Sequence, residues 1–148
     1  MEETMKFGLD FKTARNQFFD RNWVKSRIDD GTRKALSLFG AYVRQTAKRS
    51  IRNRKGTSRP GRPPFSHTGL LRKHIYFGYD PVQRSVVIGP VSLFSRGKSG
   101  KAPEILEYGG KVTLPDGRRA KIKPRPFMGP AYEEELLTVS KLWRNAVR

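Results

Sequence analysis

From Ala35 to Ile51 the chain returns small and apolar residues at three- and four-residue steps: Ala35, Leu38/Phe39, Tyr42/Val43, Thr46/Ala47 and Ser50/Ile51. That is the period of one face of an α-helix. Asp29 or Asp30 is placed to cap its start. The same spacing runs back through Val24 and Ile28, so the pattern fits either one helix starting near Asp20 or two helices meeting at Gly31, a residue that costs about 1 kcal/mol inside a helix. A single helix from Val24 to Ile51 would be about 42 Å long, whereas a globule of this chain length has a radius of gyration of about 15 Å. Such an element protrudes, or packs against a neighbouring subunit.

The helix carries the start of an unusual charge distribution. Lys and Arg number 31 against 13 Asp and Glu, a formal charge of +18 over 148 residues. Between Asp30 and Asp80 there is no acid, while Arg33, Lys34, Arg44, Lys48, Arg49, Arg52, Arg54, Lys55, Arg59, Arg62, Arg72 and Lys73 supply twelve positive charges. Arg52–Pro64 (RNRKGTSRPGRPP) holds no large apolar residue and cannot continue the helix. It reads as an exposed basic loop that does not bury itself, of a length at which loops are commonly functional. Arg44, Lys48, Arg52 and Lys55 fall at helical steps and would line one face opposite Phe39 and Val43. Together with Arg49, Arg54, Arg59 and Arg62 they form the predicted contact surface for phosphates or for an acidic partner.

From His74 the period shortens to that of strands: HIYFGY, a break at Asp80-Pro81, then RSVVIG, with a hairpin's spacing between them. A second hairpin is signalled by Lys111–Leu114 and Arg119–Lys123 around Pro115-Asp116-Gly117, where Pro presets the first turn dihedral and Gly accepts a positive φ. Ser92–Lys101 reads as a second flexible basic loop. A last helix is predicted from Pro130 or Ala131, with Glu133–Glu135 complementing its N-terminal dipole, Lys141, Arg144 and Arg148 its C-terminal end, and Leu136, Val139, Trp143 and Val147 on one side. The expected architecture is α+β: a long N-terminal helix packed on a mostly antiparallel sheet of about four strands, with a C-terminal helix. Residues 1–20 form an N-terminal arm, and 21–148 one domain with basic loops at 52–64 and 92–101. Apolar residues make up only 36% of the chain, so nine Phe, five Tyr and two Trp must supply much of the core.

Several function classes find no support. There is no cysteine, which removes disulfides, thiolate metal sites and Cys nucleophiles. The acidic Met1-Glu2-Glu3-Thr4 start and the lack of an apolar run behind it do not resemble a signal peptide. The longest uncharged run, Ser85–Ser95, contains Pro90 and is well short of the ~20 apolar residues of a spanning helix. His67 and His74 have no ligand-type residues at metal-binding spacings and are read as structural or surface residues. Glu104 and Glu107 are expected on a strand or turn, in salt bridges or interfaces rather than as an acid/base pair. Gly97-Lys98-Ser99 resembles the end of a P-loop, but Ser92 stands where the motif requires its first Gly. The expectation is a protein without catalytic residues, cofactor or metal, and without a sequence-reading element such as a recognition helix or zinc finger.

Three separated segments carry a resemblance. Ser66-His67-Thr68-Gly69-Leu70-Leu71-Arg72 follows the basic helix and loop, Ala102-Pro103-Glu104-Ile105-Leu106-Glu107-Tyr108-Gly109-Gly110 follows the first hairpin, and Arg125-Pro126-Phe127-Met128-Gly129-Pro130-Ala131 precedes the last helix. Their order and spacing resemble the HK97 gp10-like family of tailed-phage neck and tail-completion proteins over roughly residues 20–148. The matching positions are Thr68, Gly69, Leu70, Glu107, Gly109, Pro126, Phe127, Met128, Pro130 and Ala131. The resemblance implies a non-enzymatic α+β subunit of the head-to-tail connection, made in the host cytoplasm and built into the virion. It implies a ring of roughly six or twelve copies around the DNA path, touching head-completion, tail-terminator or tail-tube proteins and the phage DNA, but no membrane. On the residues' own reading, Gly69 and Gly109 permit a tight turn or close backbone approach, and Glu107 is an inter-subunit or intra-domain salt-bridge carboxylate. The rival reading is a stand-alone nucleic-acid-binding protein without sequence preference; an enzyme using His67 or His74 ranks last.

Overall fold

Helical periodicity in the first third becomes one continuous helix. The computed structural model describes residues 21–91, 93–95, 98–114 and 116–146, so the predicted arm at 1–20 lies outside the described residues. Helix α1 spans Arg21–Ser50 without a break at Gly31, a length of about 45 Å. The buried apolar side chains on it are Ala35, Phe39, Val43, Ala47 and, just past its end, Ile51. Each step of four advances about 40° beyond a full turn, so the stripe winds through about 160°. Different sides of α1 therefore receive different elements.

One of them is a ribbon of β1 (Ile75–Asp80) and β2 (Ser85–Pro90), paired antiparallel with Ile75 opposite Pro90 and Asp80 opposite Ser85. Its turn is organised by Asp80, whose Oδ1 accepts the N–H groups of Val82 and Gln83. Gly40 of α1 sits beneath the ribbon: a Cβ there would stand 2.8 Å from carbons of Phe77 and Val86. Helices α4 (Met128–Leu136) and α5 (Val139–Ala146) also pack against α1. Between ribbon and helices, Ile75, Leu71, Phe127 and Ala131 join Phe39, Val43, Ala47 and Ile51 in one buried cluster, with Val86, Ile88, Leu106, Met128, Val139 and Leu142 packed against it.

The α+β class with antiparallel strands is as expected, but among the described residues the strands form three separate two-stranded ribbons rather than one sheet: β1–β2, β3 (Leu93–Ser95) with β4 (Lys98–Gly100), and β5 (Gly110–Thr113) with β6 (Arg119–Ile122). The ribbons are kept apart by the chain between them. Pro90 closes β2 without a ladder donor, and α3 (Ala102–Tyr108) intervenes before β5. Ser92–Lys101, expected as a flexible loop, carries the β3–β4 ribbon. Ala102–Tyr108, expected as strand or turn, is a helix with Pro103 in its first turn and Gly109 at its end (φ 77°). That Pro-start, Gly-stop pattern is the ordinary helix signature, here on a segment of only seven residues.

The C-terminal helix is likewise two. Thr138 donates its hydroxyl to the Glu135 carbonyl, and its own carbonyl accepts the N–H groups of Lys141 and Leu142, which ends α4 and starts α5. Pro130 is the third residue of α4, not its first, so Glu133–Glu135 lie beyond the opening turn. Glu135 instead accepts the Thr46 hydroxyl of α1 at 2.6 Å. Val139 packs on the core, whereas Leu136 is exposed.

Candidate phosphate or acidic-partner surface

The predicted basic face does not exist as one helical stripe, because α1 stops at Ser50 and leaves Arg52 and Lys55 in the following loop. Its cations divide into two groups with different work. Arg44 and Lys48 turn toward the junction between β1 and a short helix α2 (Leu70–Lys73). Arg44 donates Nε to the Ile75 carbonyl at 2.8 Å and lies over the Tyr76 ring, while Lys48 Nζ is 3.5 Å from the Lys73 carbonyl. Burial, and then the Arg44 and Arg72 guanidinium groups, pull the Lys48 ammonium below the ordinary lysine range. These two serve the fold by satisfying carbonyls at a helix-to-strand corner.

The second group is Arg49, Arg52, Arg59 and Arg62. With Ser50, Thr57, Ser58, Pro63 and Phe65 they line an open basin of about 600 Å³ with no carboxylate among the described residues of its wall. Its geometry starts from Arg59-Pro60-Gly61-Arg62. Pro60 and Gly61 (φ 76°) stand in the second and third places, and the Arg62 N–H meets the Arg59 carbonyl at 3.1 Å. That is the pattern of a type II turn, and it sets Arg59 and Arg62 side by side. Arg54 instead lies over the Phe65 ring, and Lys55 is exposed.

The loop that was expected not to bury itself is tied down. Arg125 Nε donates to the Ser58 carbonyl at 3.0 Å, Gly61 N–H to the Pro124 carbonyl at 2.9 Å, and Ser66 N–H to the Arg52 carbonyl at 3.0 Å. Ser58, Pro64 and Ser66 are buried. A run without large apolar side chains still packs when backbone groups and one arginine from elsewhere hold it. Arg125 and Ser58 were not among the predicted site residues; the RPGR turn was the signal available for the loop's shape.

The motif positions from the third segment and from Glu107 and Gly109 converge. The Glu107 carboxylate accepts three backbone N–H groups at the start of α4: Oε2 from Phe127 (2.8 Å) and Met128 (3.0 Å), Oε1 from Gly129 (2.8 Å). Its expected salt bridge is replaced by a helix cap. Gly109 closes α3 where a Cβ would stand 3.0 Å from the Ile122 carbonyl oxygen and 3.1 Å from Pro124. Phe127 and Ala131 are core, and Pro126 and Met128 are half-buried. Thr68, Gly69 and Leu70 sit apart at the head of α2, with Gly69 at φ 72°. Leu70 is exposed and Leu71 fills the core.

The histidines bind backbone. His67 Nε2 lies 3.1 Å from the Gly56 nitrogen and 2.9 Å from its carbonyl oxygen, so either tautomer finds a partner, and His74 Nδ1 is 2.8 Å from the Leu70 carbonyl. Among the described residues no three His, Cys, Asp or Glu side chains group as metal ligands, and no helix is long and apolar enough to cross a membrane. Comparison of the chain with protein-family models, curated proteins and solved structures gives no match.

Proposed function

We propose that this chain is a structural assembly subunit that forms a closed ring in the neck of a tailed phage, around the DNA path. The observation that carries the assembly reading is the disposition of α1. The fold buries the helix from Gly31 onward, while the Arg21–Ile28 turns extend past that point with Trp23, Val24 and Ile28 at 60%, 38% and 51% exposure. A helix that continues well beyond its own core, with apolar side chains along it, suits packing between neighbouring copies. In a ring each copy offers such an element to the next. The neck assignment rests on the three ordered sequence segments, whose convergence at the Glu107 cap gives two of them one structural task. Arg49, Arg52, Arg59 and Arg62 then face acidic surfaces of adjoining rings or the DNA itself.

Light scattering on the purified chain tests this reading, with a ring-sized mass expected. The rival, a stand-alone nucleic-acid-binding protein, is favoured by one observation, the carboxylate-free basin. Under that reading the chain is a monomer whose affinity for random duplex DNA falls steeply with salt.

A further inference from the structure

The basin beside the end of α1 holds a second feature besides its arginines. Ser58 lines it, is 5% exposed, and its Oγ, closed to solvent, has no hydrogen-bond partner among the described residues. A buried hydroxyl left unpaired costs free energy, and a donor in that state next to four guanidinium groups has one obvious complement, an oxyanion. We propose that Arg49, Arg52, Arg59, Arg62 and the Ser58 hydroxyl form a binding site for the phosphate group of a phosphate ester.

The arrangement favours phosphate over the carboxylates of an acidic protein. Guanidinium groups at the two ends of the Arg59–Arg62 turn and at the end of α1 approach the basin from separate backbone segments, which suits an anion with several oxygens to share. The Ser58 hydroxyl, closed to solvent in the free structure, adds a short neutral donor by rotating about χ1 toward the ligand. The basin's size, about 600 Å³, is in the range of small-ligand sites and leaves room for the ester's organic part against Pro63 and Phe65. The site is also pre-ordered: Arg125 and Pro124 hold the loop at Ser58 and Gly61, so little loop entropy remains to be lost on binding. Neither ion pair among the described residues, Arg84–Asp29 or Arg118–Asp116, engages these arginines.

The ester is either a nucleotide unit within a polynucleotide or a free small phosphate, and the test separates them. Fluorescence anisotropy with a labelled random 20-nucleotide single strand and its duplex, and calorimetry with inorganic phosphate, are run on the full chain, Ser58→Ala, Arg52→Gln/Arg62→Gln, and the control Lys111→Gln/Lys121→Gln. The control removes the same charge from exposed positions paired across the β5–β6 ribbon. Ser58→Ala is expected to melt at or above the parent temperature, because it deletes an unpaired buried hydroxyl, while weakening binding about five- to tenfold. The arginine pair is expected to weaken binding about tenfold or more and to flatten the salt slope by about two, and the control to change affinity less than about threefold. These losses in the oligonucleotide titrations assign the site to a polynucleotide backbone; the same losses confined to inorganic phosphate assign it to a free phosphate. The proposal is overturned if Ser58→Ala binds like the parent, if the control loses as much as the arginine pair, or if a polyglutamate peptide displaces the probe as well as phosphate does. It is equally overturned if neither probe binds. A monomeric chain that passes this test retains the site and loses the ring, so the two readings fail separately.

Discussion

The carboxylate of Glu107 accepts the backbone N–H of Phe127 at 2.8 Å across twenty residues of chain, and with the Met128 and Gly129 N–H groups completes the N-terminus of α4 from the end of α3. Helix α4 has no acid in its own first turn and no side-chain cap from Phe127, so the charge that complements its dipole is borrowed. The same contact fixes Phe127, 1% exposed, in the core.

Glu107→Gln keeps the shape and removes the charge. It is expected to lower stability by about 1–2 kcal/mol, and Glu107→Ala by about 2–3 kcal/mol, because the carboxylate's hydrogen bonds are charge-assisted. Thermal melts at neutral pH check this; equal melting temperatures for the parent and both variants would contradict the capping role.

Gly40 makes a second tight contact. Gly40→Ala gains about 1 kcal/mol of helix propensity, but its Cβ would press on Phe77 Cδ2 and Val86 Cγ2 from 2.8 Å, an overpacking that costs about 1–3 kcal/mol. The expected outcome is a net loss, and Gly40→Ala combined with Phe77→Leu recovers part of it. A stabilised single variant in urea denaturation would show that α1 and the ribbon are not in close contact.

How far the fold could be read from residues alone follows from the range of each interaction. The α1 stripe was legible because Ala35, Phe39, Val43 and Ala47 repeat locally, and the β5–β6 turn because Gly117 announces its positive φ, found at 82°. The Glu107 cap, the Arg125 tether and the Thr46–Glu135 bond link residues 20 to 89 positions apart, and no local pattern encodes them. For the same reason the basic segment was expected to stay unburied, since nothing within it shows that Arg125 and Pro124 would hold it. The candidate surface was legible as charge, and Arg49, Arg52, Arg59 and Arg62 were all on it. What was not legible is that Arg44 and Lys48 turn inward to carbonyls, and that Ser58 is buried beside the remaining arginines.

The Arg125 tether gives a test of loop order. Arg125→Met removes the donor to the Ser58 carbonyl and is expected to cost about 1 kcal/mol. It also speeds tryptic cleavage within residues 52–62, a segment rich in Arg and Lys. Mass spectrometry of a timed digest reads the cut sites; an unchanged cleavage rate there would mean that the tether does not order the loop.

Lys48 has a defined pH signature. Its ammonium is pulled below the ordinary lysine range, first by burial and then by Arg44 and Arg72. Between the lowered and the ordinary value the unfolded chain therefore binds more protons than the folded one, and stability rises with pH across that window. The melting temperature of the parent is expected to rise relative to that of Lys48→Met as pH climbs through the lysine range. Melting curves taken from pH 7 upward decide it, and a difference between parent and variant that stays constant or moves the other way with pH would refute the assignment.

The central claim, assembly of identical subunits into a ring, meets its most direct test in size-exclusion chromatography with light scattering, followed by negative-stain imaging of the peak. The chain mass is 16.9 kDa. The account predicts one species at roughly six or twelve times that mass, seen as closed rings, which dissociates when Trp23 and Ile28 on the projecting end of α1 are replaced by Ser. A single 16.9 kDa species at every protein and salt concentration, with no rings in the images, would contradict it.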